Sequence, residues 1–188
     1  MEIKYDLLPK LKTRKHNLRV EIDLYPYATE LYEELDKIGI IERVKEIPQL
    51  GVIKVKKELA KTRFDYIMLQ LYLHKLIKTH LQGDLRYTYN NYINSKEFRD
   101  DYVYTNEKNK PSMGDILQLL TIVYNVGHFY NTFTASRAIT MLAEENIAFR
   151  DVVINACNEE RYQCAAKTIL ESKNYQRLHL LNSILILE

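Results

Sequence analysis

The sequence predicts an all-α protein. Gly and Pro are scarce, at 5 and 4 of 188 residues, which favours helices over turn-rich β structure. Apolar residues recur at helical spacing along much of the chain, and the segments between these runs are short. With 46% hydrophobic content, a chain of this length can bury a sizeable core. We therefore expect a globular protein built from packed helices.

The first 28 residues have the least regular pattern, and we expect an irregular N-terminal segment there. This segment holds a group of basic residues: Lys10, Lys12, Arg14, Lys15 and Arg19. Such a group is typical of an arm that touches phosphates, and equally of a solvated leader. The acidic residues Glu21 and Asp23 follow at once, which favours the solvated leader.

Two short helices are predicted next. Thr29 suits the N-cap of the first and Gly39 suits its C-terminal stop. The second is predicted at Ile41–Ile47, because the residue before a proline disfavours the helical conformation and Pro48 follows.

The longest predicted helix spans residues 63–81, and a tyrosine-rich segment at 84–101 is expected to form an outer helix. Residues 105–111 have the composition of a loop. Ser112 suits an N-cap, with Asp115 three residues later in a near capping box. The remaining helices are predicted at about 112–126, 132–146, 148–158, 160–172 and 175–187.

We expect residues 29–188 to form one helical domain. The last nine residues, Leu180–Glu188, are strongly apolar, and a helix of this kind needs a partner surface. It can dock into the core, join a second copy of the chain in a homo-oligomer, or precede further chain, so that the domain is truncated here. The sequence leaves these three alternatives open.

Composition excludes several classes of protein. The net charge of +2 is no signature of a nucleic-acid or membrane binder, and no apolar run approaches the ~18 residues of a membrane span. Cys157 and Cys164 are seven residues apart, which on one helix places them on the same face but too far apart for a disulfide. We expect reduced thiols and a cytoplasmic protein.

Three segments carry a family resemblance. Arg43–Gly51 reads RVKEIPQLG, residues 62–67 read TRFDYI, and residues 124–128 read YNVGH. In this order they resemble the Arg-x-x-x-Ile-x-Gln-Leu-Gly, Thr-Arg-Phe-Glu-His-Ser and His-Asp-Ile-Gly-His motifs of the dNTP-triphosphohydrolase branch of the HD phosphohydrolases. The resemblance covers about half of the chain and implies an HD-like orthogonal bundle of helices.

The same resemblance implies that the metal ligands are lost. The positions of the family's ligands fall on Tyr66, Tyr124 and Asn125. Tyrosine is a poor ligand at neutral pH because its phenol stays protonated, and asparagine lacks the charge that offsets a divalent ion. Without a metal, water cannot become the nucleophile. We therefore expect no metal, no cofactor and no catalytic residue.

Other residues of the motifs remain. Lys61, Arg63, Asp65 and His128 are the candidates for a residual pocket. In one interpretation they hold an anion. In the other, which we favour from sequence, Arg63 pairs within the fold and His128 holds its turn through a hydrogen bond.

The leading hypothesis is a catalytically inactive HD-like domain with a regulatory or binding role, whose partner is a protein, a nucleotide or a second copy. The alternative is a divergent metal-dependent phosphohydrolase acting on nucleotides, with His128 and Asp65 among its ligands. A third hypothesis is a nucleic-acid-binding module. It rests on basic residues near Lys61 and on the tyrosines at 87, 89 and 92, and Glu58 within the basic group argues against it.

Overall fold

The computed structural model describes residues 1–8, 18–49, 61–82, 111–130, 132–172 and 174–188. These residues are mostly helical, with one two-stranded sheet, which confirms the predominantly helical character predicted from the sequence. The elements, in chain order, are β1 Glu2–Leu8, β2 Leu18–Asp23, α1 Pro26–Lys37, α2 Ile40–Glu46, α3 Arg63–Gln82, α4 Met113–Val126, α5 Thr132–Glu145, α6 Ile147–Asn155, α7 Glu160–Glu171, a 3-10 turn Tyr175–Arg177 and α8 Leu178–Leu187.

Helices α2 to α8 begin and end within three residues of the predicted bounds. Ser112 caps α4 as predicted, because its Oγ accepts a hydrogen bond of 3.1 Å from the Asp115 N–H. Gly39 follows α1 with a φ of 80°, a left-handed conformation that glycine adopts without steric cost. The helix predicted at 84–101 and the loop at 105–110 lie outside the described residues.

The N-terminal segment differs from the irregular one expected. Residues 2–8 and 18–23 pair as antiparallel strands, with Glu2 opposite Asp23 and Lys4 opposite Glu21. Val20 and Ile22 on β2 are buried, while the alternate residues Arg19 and Glu21 are exposed. This two-residue alternation is the signature of a half-buried strand, and the basic residues that precede it concealed it in the sequence.

The predicted cap of α1 is also corrected. The helix begins at Pro26, three residues before Thr29, and Tyr25 at the N-cap has no side-chain capping bond. The N–H groups of Tyr25 and Tyr27 are bonded instead by Gln118 Oε1 at 2.8 Å and Asp115 Oδ1 at 3.2 Å, both on α4. A proline at the first helical position has no N–H to satisfy, so α1 can begin there.

The described residues fall into two compact units. Unit 1 comprises 1–39 and 65–122, and unit 2 comprises 40–64 and 123–188. The buried apolar side chains of unit 1 come from β2, α1, α3 and α4: Val20, Ile22, Leu24, Ala28, Leu35, Ile67, Met68, Leu71 and Ile122.

The core of unit 2 is formed by α5 to α8. Its fully buried members are Ala143, Cys157, Ala166, Leu170, Leu178 and Leu181. The last two lie on α8, so the apolar C-terminal segment docks into this core, which is one of the three alternatives left open by the sequence. A role of this segment in self-association stays a prediction.

The two cysteines are not joined by a disulfide, as predicted, but they do not share a helix face. Helix α6 ends at Asn155, so Cys157 lies in the turn before α7 and is buried, whereas Cys164 lies on α7 and is exposed. Among the described residues, no helix is both long and apolar enough to cross a membrane.

Candidate functional site: a stacked histidine pair in unit 2

The Gly127–His128 turn directly follows the apolar helix α4. Gly127 is required there because α8 lies against it. A Cβ added at Gly127 would lie 1.9 Å from the backbone oxygen of His179 and 2.4 Å from Ser183 Oγ. Such distances are far below van der Waals contact, so only a residue without a side chain permits this approach. The close approach brings His179 and His128 together.

Arg43 on α2 stabilises this turn. Its guanidinium donates to the backbone oxygen of Val126 and, at 2.9 Å, to that of His128. The last carbonyls of a helix have no partner within the helix and carry partial negative charge, so a cation here satisfies both requirements. Asn182 Nδ2 donates to the Gly127 oxygen at 2.7 Å, and Ser183 Oγ donates to the Val123 oxygen at 2.7 Å.

His128 and His179 form a stacked pair. Their ring centroids are 4.3 Å apart and the planes differ by 8°. Each histidine is only 5% exposed. The ring of Tyr124 meets His179 edge-on at 4.6 Å and His128 at 6.5 Å, and Tyr124 itself is 51% exposed. A half-exposed aromatic ring therefore covers a buried pair of imidazoles.

The ring nitrogens of this pair are poorly satisfied. Within the described part of the chain, neither Nδ1 nor Nε2 of His128 has a hydrogen-bond partner, and Nε2 of His179 has none either. A buried polar atom without a partner costs about 1–3 kcal/mol. The turn is held by Arg43 and Asn182 rather than by the His128 ring, which corrects the role predicted for that side chain.

The surroundings keep both imidazoles neutral. Burial lowers the pKa of His128 to about 3, and the positive charges of Arg63 and Arg43, together with repulsion from His179 when that ring is protonated, act in the same direction. Burial also lowers the pKa of His179, assisted by Arg63 and opposed by a backbone hydrogen bond at Gln176. Neutral imidazole retains one lone pair and one N–H, so each ring can accept one hydrogen bond and donate another.

The stacked arrangement does not suit metal chelation. A metal bound to two imidazoles lies in the plane of each ring at about 2.0–2.1 Å from the nitrogen. The lone pairs of two nearly parallel rings 4.3 Å apart lie in separate parallel planes, so they do not converge on one ion. No group of three or more His, Cys, Asp or Glu suited to a metal occurs among the residues that the structure describes.

The residues expected at the lost metal site are divided between the units. Tyr66 lies half-buried on α3 in unit 1. Tyr124 and Asn125 lie at the end of α4 in unit 2, where Asn125 is fully buried.

The residues of the predicted residual pocket are likewise divided. Lys61, Arg63 and His128 belong to unit 2, and the charge of Arg63 acts on His128. Asp65 belongs to unit 1, where it accepts a hydrogen bond from the Tyr5 hydroxyl. Burial and this carboxylate together raise the pKa of Tyr5. The charge of Arg63 thus acts on His128, whereas Asp65 is hydrogen-bonded to the N-terminal strand.

Sequence reasoning missed His179, Asn182 and Ser183. A signal was present, because His179, Asn182 and Ser183 interrupt an otherwise apolar helix at its positions 2, 5 and 6. Residues at this spacing share one face. A polar face on a buried helix indicates specific hydrogen bonds, and the partners proved to be the backbone oxygens of Val123 and Gly127.

Comparisons with models of protein families, with curated proteins and with solved structures found no match.

Proposed function

We propose that this chain is a catalytically inactive relative of the HD phosphohydrolases and that it binds a phosphorylated ligand, such as a nucleotide, at His128 and Arg63. The ligand replaces water at the unsatisfied ring nitrogens, and no bond of the ligand is broken. The resemblance of the three sequence motifs supplies the family, and the geometry of unit 2 supplies the binding role.

The meeting of the motif segments supports the family assignment. Arg43 of the first motif donates to the backbone of the third motif at Val126 and His128. The Arg63 N–H of the second motif donates to the Ile47 oxygen of the first at 2.8 Å. Segments that are far apart in sequence thus assemble around one turn, as expected if they descend from one ancestral site.

The observation that carries the binding role is the buried, unpartnered ring of His128. A histidine with only a structural role would have its nitrogens bonded, because buried polar groups are almost always paired. Here both nitrogens lack a described partner, while two guanidinium groups keep the local potential positive. A phosphate oxygen can accept a hydrogen bond from the imidazole, and its negative charge is stabilised by Arg63.

The residues at the former ligand positions support the inactive character. Tyr124 packs its ring against His179, which is an aromatic contact rather than a coordination geometry. Asn125 supplies no negative charge, so a divalent cation would meet the positive potential of Arg43 and Arg63 with little to offset it. A metal-dependent hydrolase requires the opposite charge balance.

The proposal is tested by titrating dATP into the protein in EDTA and measuring heat. We expect saturable binding that His128→Phe abolishes, since phenylalanine keeps the stacking surface and removes both nitrogens. His74→Phe in unit 1 is the matched control and should bind as the unmodified chain does. Equal binding by the His128 variant contradicts the proposed site.

Metal content and hydrolysis separate this proposal from its enzymatic alternative. Protein purified without chelator should contain almost no manganese, iron, nickel or zinc, and should not hydrolyse dATP when manganese is added. Close to one metal ion per chain, together with hydrolysis, would establish the divergent phosphohydrolase instead. Binding of single-stranded DNA that weakens steeply with salt would favour the nucleic-acid module.

A further inference from the structure

The backbone of helix α8 packs directly against the backbone of the Gly127–His128 turn. The absence of a Cβ at Gly127 lets the His179 backbone approach, and the Asn182 amide bonds the Gly127 oxygen at 2.7 Å. Ser183 is 1% exposed and its hydroxyl lies within hydrogen-bonding distance of two backbone oxygens, those of Val123 and His179. The first two turns of α8 therefore dock directly on the end of α4.

The histidine pair spans this contact. His128 comes from the turn and His179 from α8, and their parallel rings are in contact. Undocking α8 separates the rings and exposes both of them to water. The protonation state of the pair is therefore coupled to the docking of the helix, whatever ligand the site binds.

Among the described residues, the charged groups that act on the pair are positive. The charge of Arg63, at the start of α3, acts on both rings, and that of Arg43, on α2, acts on His128. Tyr124 contributes an uncharged ring edge from α4, and the histidines act on each other. A backbone hydrogen bond at Gln176 is the one influence on His179 that favours its protonated form. Burial and nearby positive charge therefore both disfavour protonation of either ring.

The sign of the pH dependence follows from these groups. The docked histidines have a lowered pKa, whereas exposed histidines titrate near ~6.5. Above pH 6.5 neither state binds the protons and docking is fully stable. Below it the undocked state binds protons that the docked state rejects, so acid favours undocking. Two protons taken up together raise the opening equilibrium constant by up to about 100-fold per pH unit.

We propose that the stacked rings of His128 and His179 form a pH-sensitive latch that releases helix α8 from the Gly127–His128 turn in acid. The latch does not depend on the proposed ligand. It acts through the contact between α8 and the turn, and it requires only that both rings become exposed when that contact opens.

Hydrogen exchange of the backbone amides of α8, measured by mass spectrometry at pH 7.5 and 5.5, tests the latch. Exchange is expressed relative to the intrinsic rate at each pH, and α1 in unit 1 serves as the internal reference. We expect the protection of α8 to fall at least ten-fold more than that of α1 in acid. Equal changes in the two helices, or protection of α8 that is independent of pH, would overturn the proposal.

Two variants identify the groups responsible. In His128→Phe/His179→Phe the rings still stack but do not titrate, so the acid-induced loss of protection in α8 should disappear. In His74→Phe, which removes a half-buried histidine of unit 1, it should persist. If the double variant does not fold, the single His179→Phe variant should show about half the logarithmic change. An unchanged response in either His179 variant contradicts the latch.

Discussion

Helix α4 in unit 1 and the turn that follows it in unit 2 both carry buried polar side chains, and the hydrogen bonding of these side chains differs. In unit 1, the Asp115 carboxylate and the Gln118 side-chain oxygen accept hydrogen bonds from backbone N–H groups of residues 23–27. The Gln118 amide nitrogen also donates to a backbone oxygen of the same segment. In unit 2, the turn that follows α4 buries His128 with neither ring nitrogen bonded to a described residue. The first arrangement stabilises the fold. The second leaves the ring nitrogens without hydrogen bonds to described residues, and the proposed binding role rests on this difference.

His74 in unit 1 and His128 in unit 2 show the same difference in hydrogen bonding between two residues of one type. Burial lowers the pKa of both. The His74 Nε2 lies 2.9 Å from Thr121 Oγ1, a hydrogen bond that gives this ring a structural partner. His128 has two cations and a second imidazole around it instead. The two histidines therefore differ in the hydrogen bonding of their ring nitrogens.

The largest effect is expected at the contact between α8 and the turn. Gly127→Ala places a methyl group on the His179 backbone, and the overlap should lower the free energy of unfolding by about 3 kcal/mol or more. Gly39→Ala is the matched control. Nothing lies within 4 Å of its added Cβ, so only the left-handed backbone is penalised, by about 1 kcal/mol. Urea unfolding measures both, and equal losses would contradict the close approach.

A smaller loss is expected in unit 1 from Gln118→Leu. This substitution leaves the Tyr25 N–H and the Asp23 carbonyl without their partners and should cost about 2 kcal/mol. The same urea titration measures it. A loss below about 0.5 kcal/mol, the range of ordinary surface substitutions, would show that these bonds do not stabilise the start of α1.

Glu188→Ala should lower the free energy of unfolding by about 1 kcal/mol. The Glu188 carboxylate accepts hydrogen bonds from the N–H groups of Asn158 and Glu159, before the start of α7, at 3.0–3.2 Å. Glu34→Ala, which removes an exposed pair with Lys37 at 3.6 Å, is the control and should change stability by less than about 0.5 kcal/mol. A larger loss of stability in Glu34→Ala than in Glu188→Ala, measured by thermal unfolding, would contradict the capping of α7 by Glu188.

The smallest loss of stability is predicted for His128→Phe. At pH 7 it should not lower the free energy of unfolding, because the removed nitrogens make no described hydrogen bond and the stacking surface remains. His74→Phe should cost about 1 kcal/mol through its bond to Thr121. A larger loss at His128 than at His74 in urea unfolding would reverse the comparison.

The helices were predictable because apolar periodicity and local caps determine them. Ser112 and Gly39 act within a few residues of their own positions, so their roles could be read from neighbouring residues. The cap of α1 could not, because its donors are satisfied by Asp115 and Gln118, about 90 residues away. The first strand pair was hidden because its alternation is short and flanked by charged residues.

The candidate site was predictable in part. The motif comparison identified Arg63 and His128, and the charge of Arg63 acts on His128. It gave no sign of His179, whose position depends on α8 folding back onto Gly127, a tertiary contact between residues 52 positions apart. Whether a histidine nitrogen is bonded or unsatisfied is likewise a property of the folded chain. The family relationship itself stays a proposal.

The most direct test of this account is the imidazole nitrogen spectrum of His128, recorded by NMR between pH 7.5 and 6.0 with and without dATP. We predict a neutral ring throughout this range without ligand, and a change in the nitrogen shifts when dATP binds, because a ring N–H then donates to a phosphate oxygen. An ordinary titration near pH 6.5 in the unliganded protein, or a spectrum that dATP does not change, would contradict the account.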